Sequence, residues 1–373
     1  MNSGISIGKI WGIPLRLHIS WFIIFVLVAW SLAVGYFPLE NPGLSQSVYW
    51  LLGAVTSLLF GASVFAHELG HSYMALRYKV PVNSVTLFIF GGLAQIEQEP
   101  TTPKAEFQIA VAGPLVSLIL GLVFAAIWLL IKPLEVISLP SIWLARMNLI
   151  LAGFNMIPGF PLDGGRVLRS VIWKANNNLQ KATKVTALTG QIFAFGFIVV
   201  GVFILFSGDF FNGLWLAFIG WFLQNAAAAN VSQFTLKESL RGVHVSSVMQ
   251  RNIPSVSWSK KLDCIVEEDV IPSGGRVFLV TDVNGISLRG LLTLRHVTAI
   301  PRKRWPELTA QEVMIPRANF VTVDPDMQML DALRVMDDAN VAQVPVMADG
   351  QVVGILTRED VTHYIRMRAE IGM

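Results

Sequence analysis

Apolar residues along the first two thirds of the chain fall into long runs, at 18–37, 48–78, 104–131, 142–157, 186–206 and 211–229. About 20 apolar residues cross the hydrocarbon core of a bilayer as a helix, so the pattern predicts about six transmembrane helices. Polar punctuation separates them. A Pro/Gly/Asn loop fills 38–47, and Pro158-Gly159-Phe160-Pro161 breaks the fourth run. The stretch 81–96 is different. It is rich in β-branched residues, is interrupted by Gly91-Gly92, and is too short for a helical span. It predicts a β-hairpin or re-entrant segment, tolerated at membrane depth only against protein or a wet cavity. A surface hairpin is the alternative. A small-residue stripe, Gly113, Ser117 and Gly121, marks the third run for close helix contact.

From about residue 243 the pattern changes to short Val-rich strands between short helices, and it repeats. Ser247-Val248-Met249 returns as Glu312-Val313-Met314, and Gly290-Leu291-Leu292-Thr293 as Gly354-Ile355-Leu356-Thr357. The near-equal offsets predict two copies of one α/β unit. The expected organisation is a membrane domain over 1–230, a linker over 231–242, and repeats over 243–302 and 303–373.

Charge sharpens this division. Mean hydropathy is +0.57 and 14% of residues are charged, against about 25% in a soluble domain. Residues 1–242 hold 14 Lys/Arg and 9 Asp/Glu, and residues 243–373 hold 14 and 16. The first part reads as membrane and the second as soluble. The basic excess belongs to membrane loops and gives no sign of nucleic-acid binding. Lys9 and Arg16, then Arg77, Lys79 and Lys104, then Arg166, Arg169, Lys174, Lys181 and Lys184 mark alternate loops. The intervening 38–47 and 207–210 loops have none, and 132–140 has only Lys132. Lys/Arg excess marks the cytoplasmic side. The expectation is a multi-pass plasma-membrane protein whose N-terminus and C-terminal module are cytoplasmic. Residues 1–16 are mixed in character, so no cleavable signal peptide is expected. Cys264 is the only cysteine, which excludes an intramolecular disulfide or a multi-cysteine zinc site.

The candidate chemistry centres on His67-Glu68-Leu69-Gly70-His71. Two imidazoles four residues apart on a helix lie about 40° apart around its axis, so both can reach one zinc ion. The intervening Glu68 is placed to take a proton from a metal-activated water. Ionisable groups in so apolar a setting persist only if paired, liganded or facing water. A chance match, or two satisfied core histidines, is the competing reading. A catalytic zinc needs a third protein ligand. No histidine follows His71 before His244, which leaves Glu97, Glu99, Glu106, Glu135 and Asp163. Asp163 follows two prolines and precedes Gly164-Gly165, a context that breaks a helix and lets backbone approach a ligand. The same context suits a turn aspartate or helix N-cap.

His67-Glu68-x-x-His71, Gly113-x-x-x-Ser117 and Asn155-x-x-Pro158-x-x-x-x-Asp163-Gly164-Gly165 resemble the site-2 protease family of intramembrane zinc metalloproteases. That resemblance implies one Zn²⁺ per chain held by His67, His71 and Asp163, with Glu68 as the catalytic base. It implies a substrate-positioning role for Asn155 and a transmembrane protein as substrate within the lipid bilayer. Many relatives carry Asn where this chain has Ser117, which weakens a polar role there. No globular domain interrupts the spans, so a PDZ-containing subgroup is not expected. The C-terminal repeats resemble a tandem pair of CBS domains, which implies an adenine nucleotide as a regulatory ligand and a homodimer through the pair. Thr357-Arg358-Glu359-Asp360 matches the ribose- and phosphate-binding Ser/Thr-x-x-Asp pattern at Thr357 and Asp360. The first copy has Thr293-Leu294-Arg295-His296, where His replaces Asp. The reading that follows is an intramembrane zinc endopeptidase regulated by a cytoplasmic nucleotide sensor. A CBS-gated transporter or channel and an inactive client-binding relative are the alternatives.

Overall fold

The computed structural model describes residues 4–89, 91–96, 99–282 and 287–371. The chain forms two compact units, Met1–Ser232 and Gln233–Met373. The first opens with a hairpin, β1 (Gly4–Ile10) and β2 (Ile13–His18). Trp11 and Gly12 turn it, both with positive φ (51° and 81°), the geometry of a tight two-residue hairpin turn. Helices α1 (Ile19–Trp30) and α2 (Phe37–Glu40) lie in one continuous span, Ile19–Glu40. Next come α3 (Gln46–Arg77), β3 (Val82–Phe88), β4 (Gly91–Ile96), α4 (Pro103–Leu130) and α5 (Glu135–Asn155). Then follow α6 (Asp163–Asn176), α7 (Leu179–Phe206) and α8 (Phe210–Ser239). Among the described residues, six helices are long and apolar enough to cross a membrane.

These helices bury small residues and turn large ones outward, the reverse of a soluble bundle. Helix α4 buries Ala105, Ala110, Gly113, Ser117 and Gly121, while Ile119, Leu122 and Leu129 face outward. Helix α7 buries Ala187, Gly190, Ala194 and Gly201 and exposes Leu188, Ile192, Phe195 and Phe203. Lipid satisfies the outer face, so packing inside depends on close backbone approach. The small-residue stripe of α4 does this: a Cβ at Gly121 would lie 2.9 Å from Leu149 of α5.

Several local expectations need correction. The hairpin at 82–96 does not stand alone, because β3 pairs in parallel with β2 (Leu15 opposite Val85) and completes a four-stranded sheet β1-β2-β3-β4. Ile13, Leu15 and Val85 pack beneath it. The basic stretch 166–184 is not a loop: most of it is α6 and the first turns of α7. Helix α5 begins at Glu135, well before the expected 142, and runs through Pro140. The expected linker at 231–242 is helical as far as Ser239.

The second unit holds the repeat. Its first copy comprises β5 (Ser255–Ser257), α9 (Leu262–Ile265), α10 (Ile271–Ser273), β6 (Val277–Thr281), β7 (Leu288–Thr293) and α11 (Leu294–Thr298). After α12 (Ala310–Val313) and β8 (Ile315–Pro316), the second comprises α13 (Met329–Asp338), β9 (Gln343–Ala348), β10 (Gln351–Thr357) and α14 (Arg358–Ile371). The copies are interlocked. Strand β8, which leads into the second copy, pairs with β7 of the first (Leu291 opposite Ile315). In the same way Gln250, ahead of the first, bridges to Ile355 in β10 of the second. The repeated residues meet crosswise: a Cβ at Gly354 would lie 2.6 Å from Met249 Sδ, and one at Gly290 would lie 2.6 Å from Met314 Sδ. Each copy has its own apolar core, around Leu262, Ile265, Phe278 and Leu292 in one and Met329, Met336, Val344 and Leu356 in the other.

Candidate metal centre

His67 and His71 lie one turn apart on α3, 3% and 5% exposed. Each ring is held from behind. His71 Nδ1 donates to the Ile109 carbonyl of α4 at 2.7 Å, and His67 Nδ1 lies 2.9 Å from Ser117 Oγ, also of α4. A carbonyl only accepts, so the His71 proton sits on Nδ1 and Nε2 presents a lone pair when the ring is neutral. Both Nε2 atoms point to one place. They are 3.2 Å apart, and each is 3.2 Å from Oδ2 of Asp163. Ligands about 2.0 Å from a tetrahedral metal stand about 3.3 Å from each other, so this triangle has the edge length of one face of a zinc site. His71 Nε2 and Asp163 Oδ2 are both electron-rich when the ring is neutral, and a divalent cation offsets the repulsion of such atoms brought this close. The donor set and its spacing therefore fit Zn²⁺, with the groups behind both rings fixing their orientation.

Glycines create the room. A Cβ at Gly113 would lie 2.2 Å from His71 Nε2 and 2.7 Å from His67 Nε2, so both imidazoles rest on bare α4 backbone. Asp163 is the first residue of α6. Cβ atoms at Gly164 and Gly165 would lie 2.4 Å from Met156 O and 2.5 Å from Gly159 C. The two glycines thus let the start of α6 fold tightly under the 156–160 turn, which aims Asp163 at the histidines. Its side chain meets the imidazoles, and Leu162 occupies the N-cap position.

Glu68 projects from the same helix toward the hairpin. A Cβ at Gly92 of β4 would lie 2.2 Å from Glu68 Cγ and 2.8 Å from Glu68 Oε1, so the carboxylate arm lies against strand backbone. Asn155 ends α5, and its Nδ2 donates to Leu151 O at 3.1 Å; this contact does not join it to the triangle. Of the other carboxylates considered, Glu99 and Glu106 pair with Arg169, Glu135 accepts from Asn41, and Glu97 lies outside the described residues. Ser117 overturns expectation: its hydroxyl does have a polar role, against His67. Gly92 is visible in the sequence only as a break in the hairpin, and nothing in the sequence points to the Ile109 carbonyl. Gly113 stands out in the sequence as part of a helix-contact stripe and of the Gly113-x-x-x-Ser117 motif, neither of which points to room for the imidazoles.

In the second unit, Thr357 and Asp360 form a reciprocal cap at the start of α14. Thr357 N and Oγ1 donate to Asp360 Oδ2 at 3.0 and 2.6 Å, and Gln250 Nε2 donates to Oδ1 at 2.6 Å. In the first copy His296 Nδ1 lies 2.5 Å from Thr293 Oγ1. Burial, with Arg295 beside it, holds the His296 imidazole below its ordinary pKa, so near neutral pH this position carries no charge where the second copy has a carboxylate. A cleft of about 430 Å³ lies elsewhere in the unit, lined by Arg241, Ser247, Tyr364 and Arg368 among others.

A membrane bundle that gathers two histidines and an aspartate beside a glutamate has the makings of a metallopeptidase. Comparison with known proteins agrees. The profile of peptidase family M50 matches residues 55–140 and 131–199, and that of the CBS domain matches 310–367. Two relatives are each named "Putative zinc metalloprotease" and are each 34% identical to this chain. One is sll0528 of a Synechocystis species, over 99% of this chain and 97% of its own length. The other is Rip3 of Mycobacterium tuberculosis, over 98% and 93%. Zinc metalloprotease MJ0392 of Methanocaldococcus jannaschii is 29% identical over 97% of this chain and 96% of its own. The solved site-2 protease of that organism is 31% identical, with a TM-score of 0.41, covering 61% of this chain and 95% of that one. The chain is thus a multi-pass membrane zinc metalloprotease carrying a CBS module, which displaces the gated-transport reading. It belongs to the site-2 protease family, peptidase family M50.

Proposed function

We propose that this enzyme hydrolyses peptide bonds within transmembrane segments of membrane proteins, using zinc held by His67, His71 and Asp163. The 3.2 Å triangle of Nε2, Nε2 and Oδ2 atoms beside Glu68 is the observation that carries the reading. When bound, zinc supplies Lewis-acid chemistry, making a water acidic near neutral pH and polarising a carbonyl. Glu68 takes the proton from that water and returns it to the leaving amine. Ser117 and the Ile109 carbonyl keep the imidazole lone pairs aimed. A transmembrane helix hides its amides in its own hydrogen bonds, so the substrate unwinds before it is cut. Strand β4, with Glu68 against Gly92, offers backbone beside the reacting groups on which an extended segment can be laid. Asn155 is assigned a supporting part in holding that segment.

The positive-loop pattern supports a cytoplasmic N-terminus and CBS module. An adenine nucleotide at Thr357 and Asp360 is the proposed regulator, and the CBS pair the proposed homodimer contact. To bind there, ribose hydroxyls must displace Gln250 from Asp360. Purified wild type, Glu68→Gln and Asp163→Ala proteins test the central reading. Wild type is expected to hold about one zinc per chain and cut a reporter transmembrane segment. Glu68→Gln should keep its zinc yet lose at least 100-fold in cleavage, and Asp163→Ala should lose both. Full cleavage by Glu68→Gln, or a wild type without zinc after reloading, refutes it.

A further inference from the structure

Arg169 lies on α6, 6% exposed. Its Nε donates to Glu106 Oε1 of α4 at 2.6 Å, and a terminal nitrogen reaches the same oxygen at 2.5 Å. Its other terminal nitrogen is 3.4 Å from Glu99, just beyond β4. Its guanidinium sits 5.3 Å from the Phe160 ring centroid, in the turn that leads into Asp163. Glu106 is fully buried, and its Oε2 finds no hydrogen-bond partner among the described residues. Burying such a pair brings little net stability, because desolvation offsets the attraction, and the unmet oxygen adds to the cost. Stability therefore does not explain its presence.

Geometry does. On α4, Glu106, Ile109, Gly113 and Ser117 recur at intervals of three and four residues and so share one face. Ile109, Gly113 and Ser117 all touch the histidines. Glu106 is about 10 Å along the axis from Gly113, and Arg169 is about 9 Å from Asp163. The two helices run antiparallel through these contacts, so they are pinned at two points with matching separation. One pin is the triangle; the other is Arg169 with Glu106. The first pin, with Gly164 and Gly165 packed under the 156–160 turn, holds only the start of α6, and the rest of the helix could still pivot about it. With both, the register of Asp163 against the histidines is fixed.

We propose that Arg169, through Glu106 and Phe160, is the positioning residue that sets Asp163 as third metal ligand. This rests on the zinc reading above. The test uses the full chain in detergent and two readouts that need no substrate. These are zinc affinity by chelator competition and the visible spectrum of the Co²⁺-substituted protein, which reports the ligand set. Arg169→Met alone strands a buried carboxylate and risks unfolding, so it is paired with Arg169→Met/Glu106→Gln, which removes charge from both sides. Glu106→Gln alone keeps an accepting oxygen for Arg169. We expect the double variant to melt like the wild-type apoprotein but bind zinc about 10- to 100-fold more weakly, with a changed Co²⁺ spectrum. Glu106→Gln should stay within a few-fold of wild type. Wild-type affinity and spectrum in the double variant overturn the proposal and leave the zinc reading intact. A wild type that binds neither metal overturns the zinc reading, and this proposal with it.

Discussion

Replacing Gly113 by Ala tests the architecture of the centre with one methyl group. The new Cβ would lie 2.2 Å from His71 Nε2 and 2.7 Å from His67 Nε2. Non-bonded carbon contacts settle at about 3.5 Å, so the rings must retreat by about 1.3 and 0.8 Å. Zinc–nitrogen distances are held to about 0.2 Å, several times less than either movement. The rings have little freedom to comply, because Ile109 and Ser117 hold them to the same helix that carries the new methyl. Moving α4 away instead draws α6 with it through Glu106 and Arg169, and Asp163 leaves the histidines. Losing an outer partner of a ligand costs about 10- to 100-fold in metal affinity; displacing two ligands should cost at least the upper figure. Ala is a better helix former than Gly by about 1 kcal/mol, so lost zinc could not be ascribed to a weaker helix. The assay is zinc retention against a graded chelator series, with circular dichroism and melting of the detergent-solubilised protein to confirm the fold. Wild-type affinity in a folded Gly113→Ala protein would refute the crowding described here and, with it, the placement of the imidazoles.

Gly92→Ala should separate catalysis from metal binding. A Cβ 2.2 Å from Glu68 Cγ forces that side chain aside, so cleavage should fall by about 100-fold while zinc content stays at the wild-type level; a parallel loss of zinc would contradict the assignment of Glu68 to the strand side. The CBS module should also show a pH signature. Burial and Arg295 depress the His296 pKa, so between the folded pKa and the unfolded value near 6.5 the unfolded state binds more protons, and stability rises with pH. Amide exchange around 293–297 in the full chain should therefore slow as pH rises through that window, after correction for intrinsic rates, and His296→Gln should abolish the extra dependence.

Most of the membrane architecture is legible because a bilayer demands long apolar helices, and six such runs have few competing explanations. The motif glutamate and histidines were equally plain, since their spacing is itself the geometry. What escaped was whatever depends on contact between distant segments. Strands β1 and β2 alternate as Ile5, Ile7, Lys9 and then Ile13, Leu15, Leu17, yet their partner β3 lies some 70 residues on and gives no local signal. Helix α6 was hidden for another reason. Its basic residues count as loop charge under the positive-inside rule, yet the Arg169 side chain is buried against Glu106. Ser117 lacks the amide that many relatives carry, yet its hydroxyl serves a histidine Nδ1 equally well. Asp163 could be chosen among the carboxylates only by family resemblance, because the tight turn made by Gly164 and Gly165 exists only once α6 packs under residues 156–160.

The crosswise exchange in the C-terminal unit has a consequence for inheritance of function between its halves. Neither repeat owns a complete sheet: the first borrows β8, and the second borrows the bridge at Gln250. A half that loses its own ligand chemistry, as His296 in place of an aspartate suggests, cannot then be discarded, because its twin would lose a strand contact and the methionine that fills the space beside its glycine. Such a pair has one fate. Each repeat is scaffold for the other whatever it binds, and anything that loosens Gln250 from Asp360 is felt at once by the segment that enters the first repeat.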